Sequence, residues 1–135
     1  MDAARLALHD FDAHAYLRLL IAVVKVCGIT EVEREWVEAR ARLLGVDATA
    51  LWSETLTELP PLPPDLSDRT RRVVLRDCIL IACIDGDYAD KERALVHRVR
   101  DWLGLSAATA DRFEGWFRRY FDLMEEQEAL LEGFE

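Results

Sequence analysis

Val73-Val74-Leu75-Arg76-Asp77-Cys78-Ile79-Leu80-Ile81-Ala82-Cys83-Ile84, followed by Asp85-Gly86-Asp87-Tyr88-Ala89-Asp90-Lys91-Glu92, is the stretch on which the fold turns. The first part is too long and too evenly apolar for a half-buried strand, and apolar and polar residues do not alternate in it. It reads as a helix without a polar face, and such a helix belongs at the centre of a bundle. Gly86 then lets the backbone turn, and Glu92 stands near the start of the next helix. A second run of the same kind, Leu19-Leu20-Ile21-Ala22-Val23-Val24-Lys25-Val26, ends at Cys27-Gly28. The two apolar helices are expected to pack on each other, with the remaining helices covering them.

Working outward, helices are expected over about Leu6–Val26, Glu31–Leu44, Asp47–Leu56, Asp68–Ile84, Lys91–Leu103 and Ala107–Leu131. Thr30 with Glu33 makes a capping box, Asp47, either Ser67 or Asp68, and Ser106 are further N-caps, and Gly45 and Gly104 suit C-terminal caps. All four prolines lie at positions 60, 61, 63 and 64. Proline removes a backbone donor and disfavours helix in the residue before it, so this segment is a stiff connector. The expectation is an all-α, single-domain bundle of six to seven helices spanning 1–135, with half A at about 10–59, a connector at 60–64 and half B at about 65–131.

The halves superpose in sequence. When Gly45 is laid on Gly104, Glu33 meets Glu92, Arg34 meets Arg93, Val37 meets Val96 and Leu44 meets Leu103. Gly28 meets Gly86 with one residue inserted. Each half reads as buried helix, Gly turn, Glu near the next helix start, amphipathic helix, Gly cap. This order suggests an internal pseudo-twofold repeat.

A buried helix ending in Asp85-Gly86, followed by Tyr88 and by Glu92 on the next helix, resembles the TerB-like (tellurite-resistance) family. The resemblance covers roughly Leu17 to Ser106. It implies an all-helical fold, a non-enzymatic stress-response or scaffolding role, and a metal site among the acidic turn residues. The first copy departs from the pattern, with Cys27 where Asp is usual, although Gly28 and Glu33 remain.

The turn has its own chemistry. Asp85, Asp87, Asp90 and Glu92 crowd four carboxylates into eight residues. Hard cations of the Ca²⁺ or Mg²⁺ class take such oxygen ligands, and Glu33 is the residue that reaches the site from the other half. The loop is not an EF-hand: counting from Asp85, the sixth position is Asp90 rather than Gly and the twelfth is Val96 rather than Glu. The competing reading is that acidic residues at a helix start only cap it and complement its dipole.

Composition sets further bounds. The chain has 135 residues, 51% of them hydrophobic, and a net charge of −9. A chain of this size buries roughly two thirds of its unfolded surface and needs no staples. The negative charge disfavours nucleic acid and anionic membrane as partners. Three cysteines set in apolar stretches argue against a disulfide framework and for a cytoplasmic protein. No nucleophile elbow, phosphate loop or His-based metal spacing appears, so an enzyme is not expected. Finally, Phe113, Trp116, Phe117, Tyr120, Phe121 and Met124 form a stripe on one face of the last helix. That face either closes the core or docks a protein partner or a second copy of the chain.

Overall fold

The computed structural model describes residues 12–26, 30–53, 65–84, 88 and 90–133. Within them the chain forms α1 (Ala13–Val26), α2 (Glu31–Leu43), a 3-10 turn (Ala50–Ser53), α3 (Asp68–Cys83), α4 (Asp90–Trp102) and α5 (Ala107–Leu131), with no strand. The all-α class is as expected, but the described residues hold five α-helices rather than six or seven. Two expected helices differ. Among the described residues the first begins at Ala13, where Asp12 stands outside it and accepts the His14 amide at 2.8 Å as an N-cap, and positions 6–11 lie outside the described residues. The third is described only as far as Ser53, and there it is a 3-10 turn over Ala50–Ser53, with the Asp47 carboxylate taking the Thr49 amide at 3.0 Å ahead of it. Positions 54–64, with the proline connector, lie outside the described residues, as do 27–29, 85–87 and 89.

The two apolar helices do pack on each other. Tyr16, Leu17, Leu20, Val23 and Val24 of α1 and Val74, Leu75, Cys78, Ile79 and Ile81 of α3 are fully buried in one cluster. Helices α2, α4 and α5 and the 3-10 turn add Val37, Leu51, Val96, Val99 and Phe117 around that pair, with Leu103 from the turn after α4. The expected caps of α2, α3 and α5 are in place. Thr30, Ser67 and Ser106 accept the amides of Glu33, Thr70 and Thr109. Gly45 and Gly104 take φ of 71° and 73°, the left-handed region that favours glycine. Arg71 reaches from α3 to the Leu103 carbonyl at 2.8 Å, pinning the end of α4 to the central helix.

Candidate functional site

The acidic turn is only partly described. Asp85 and Asp87 lie outside the described residues. Asp90 is the first residue of α4 and is exposed, whereas Glu92, the third, is 1% exposed. Residues two apart on a helix point away from each other, so these two do not share a face. Glu33 is likewise the third residue of α2 and 1% exposed, and its carboxylate accepts the Thr30 hydroxyl at 2.7 Å. Among the described residues no three His, Cys, Asp or Glu side chains converge as a metal site would require.

The aromatic stripe of α5 splits in two. Phe117, with Ala110 and Glu114, faces the core, and Phe113 and Phe121 are half-buried against it. Trp116 is 51% exposed and stacks on exposed Tyr120 at 5.6 Å between ring centres. The side chains continuing that line, Leu123 at 58% exposure and Met124, are also outside the core.

Beside this outer line runs a groove of about 1280 Å³, walled by α2, α3 and α5. Its apolar lining includes Trp36, Leu80, Phe113, Trp116 and Tyr120. Its charged lining is mostly cationic: Arg40, Arg72, Arg76, Arg112 and Arg119 against Asp77 and Asp111. Arg72, Arg112 and Arg119 form no ion pair among the described residues. A groove of arginines and aromatic rings on a chain of charge −9 is a local reversal of sign.

Asp77 anchors the groove floor. It is fully buried in the middle of α3. It accepts the Tyr16 hydroxyl from α1 at 2.8 Å and the Arg76 Nε at 2.9 Å, and Arg40 of α2 lies 3.7 Å away. Arg40 in turn lies over the Trp36 ring at 4.4 Å. A buried carboxylate is tolerated only when paired and hydrogen-bonded, and this one ties three helices together through its partners. Burial, and then the Asp77 charge, push the Tyr16 phenol far above its ordinary range. Burial, and then Asp77, push the Cys78 thiol up as well, so it is not a reactive nucleophile. A second polar cluster joins α4 to α5, where Glu114 pairs with Arg93 at 3.3 Å and the His97 Nε2 lies 3.5 Å from its other carboxylate oxygen. Burial, and then the Glu114 charge, raise the Tyr88 phenol beside it.

The periodicity of α5 found the aromatic wall of the groove but not its arginines or Asp77. The signal for Asp77 was a lone carboxylate inside an otherwise apolar run, a residue that must find buried partners. No helix among the described residues is long and apolar enough to cross a membrane. Comparison with protein-family models, with curated proteins and with solved structures gave no match to this chain.

Proposed function

We propose that this chain is a non-enzymatic, TerB-like interaction module that holds an acidic, apolar protein segment in the groove between α2, α3 and α5. The observation that supports this is one concave surface that sets Arg72, Arg112 and Arg119, which form no ion pair among the described residues, beside the exposed rings of Trp116 and Tyr120. Arginine and aromatic side chains are the usual anchors of protein recognition, and carboxylates on the partner meet the guanidinium groups. The matched cap geometry of α2 and α4 supports reading the halves as degenerate copies. Leu44, Gly45 and Val46 donate to Arg40, Arg42 and Ala41, just as Leu103, Gly104 and Leu105 donate to Val99, Asp101 and Arg100. The same reading has the module working in the cytoplasm, where Cys78 stays a thiol. Calorimetric titration of a synthetic amphipathic peptide of glutamate and leucine tests the groove. Binding is expected to weaken at least several-fold in Arg72→Glu and in Trp116→Ala, and binding unchanged in both variants overturns the reading.

A second reading follows the TerB resemblance to a divalent cation. Its support is the burial of Glu33 and Glu92 at the same helical position in α2 and α4. Here Ca²⁺ or Mg²⁺ raises the melting temperature, by several degrees at about 100 times the dissociation constant. Asp85→Asn and Glu92→Gln each abolish that rise. A flat melting temperature across millimolar additions of Ca²⁺, Mg²⁺, Mn²⁺ and Zn²⁺ removes this reading.

A further inference from the structure

We propose that the occupant of the groove is a second copy of this chain: two α5 helices pair antiparallel, and the acidic C-terminal half of each lies in the arginine-lined groove of the other. The proposal rests on the groove reading above and names its partner.

Three observations carry it. First, α5 has 25 residues, about 37 Å of helix, yet every side chain from Asp122 to Glu128 is exposed. That half projects beyond the elements that cover the rest of α5 while carrying the exposed apolar residues Leu123, Met124, Leu130 and Leu131. Second, α5 is divided by charge. From 122 to 131 it holds Asp122, Glu125, Glu126 and Glu128 and no Lys or Arg, while the other half sets Arg112, Arg118 and Arg119 against Asp111 and Glu114, with Arg112 and Arg119 lining the groove. Reversing one copy against another sets the acidic half of each over Arg112 and Arg119 of its mate, and one twofold axis satisfies both ends. Third, Phe113, Trp116, Tyr120, Leu123, Gln127 and Leu130 follow one another at alternating steps of three and four residues. That spacing forms a helix–helix seam. With Tyr120 of one copy set against Leu123 of the other, Arg119 falls opposite Glu126 of the second copy, and the pair occurs twice. Within one chain Arg119 and Glu126 are two turns apart, too far to reach each other along the helix.

Sedimentation equilibrium of the full chain, from micromolar to submillimolar concentration, tests the pairing. A dimer that dissociates as salt is raised is expected. Arg119→Glu and Glu126→Arg should each weaken it roughly tenfold, because each replaces two attractive contacts with two repulsive ones. Both side chains are exposed, so unchanged thermal melts in dilute solution will show that the fold persists. An equimolar mixture of the two variants should recover dimers. In the mixed pair the two introduced charges, of opposite sign, face each other, and the native Arg119 of one chain faces the native Glu126 of the other. A chain that stays monomeric at every concentration overturns the proposal, as does a dimer indifferent to both reversals. The glutamate–leucine peptide, titrated into Glu126→Arg, separates this from the broader reading, because that variant keeps its groove intact. Peptide binding beside a monomeric wild type leaves the groove standing and removes only the self-pairing; no peptide binding and no dimer remove both.

Discussion

Asp77 is the residue on which the central helices depend most sharply. Its carboxylate is the shared partner of Tyr16, Arg76 and Arg40, which come from three helices. Removing one member of a buried charged cluster leaves the others desolvated and unpaired. Asp77→Ala is therefore expected to cost about 3–5 kcal/mol in a denaturant titration. Tyr16→Phe keeps the arginines paired and removes one hydrogen bond to a charged group, so its cost is about 2 kcal/mol. A cost below about 1 kcal/mol for Asp77→Ala means that the cluster is not the tie described here. None of this was visible in the apolar count of α3, since composition treats Asp77 as one interruption. Its role arises only where α1 and α2 bring their own polar groups to it.

At the scale of elements, helix ends were easier to read than helix count. Thr30, Ser67 and Ser106 cap α2, α3 and α5 through bonds that span three residues, and such bonds are written in local sequence. The left-handed turns at Gly45 and Gly104 were legible for the same reason. The segment after Asp47 was not, because apolar spacing there suits either a helix or a turn. In the structure Leu51 is buried, Trp52 donates to Glu38 at 2.8 Å, and Arg34 lies over the Trp52 ring at 4.6 Å. Those contacts staple a 3-10 turn to α2. In α5 the period of 3.6 marked an apolar stripe but could not divide it. Phe117 faces the core and Trp116 faces outward because α3 and α4 cover only one edge of that stripe. The uncovered edge is what the antiparallel pairing of α5 would bury.

The whole molecule carries a pH signature. Tyr16 and Tyr88 have phenols raised above their ordinary value, chiefly by burial. A raised native value contributes stability that is fully present below the unfolded value and is lost as pH rises above it. Unfolded tyrosine ionises at about 10. Above that, the unfolded chain releases phenol protons that the native state keeps, so stability falls with pH. Urea titrations at rising alkaline pH should show this decline, and Tyr16→Phe should make it shallower; an equal slope in the variant contradicts the burial of Tyr16. Sequence by itself determined the all-helical class, the central pair α1 and α3, and most of the caps, because periodicity and capping act over one or two helical turns. Tertiary structure alone decided the buried Asp77 cluster, the division of the α5 stripe and the gathering of Arg40, Arg72, Arg76, Arg112 and Arg119 along one groove. Those residues come from three helices, and which of their faces meet depends on how the helices cross, which no local pattern encodes.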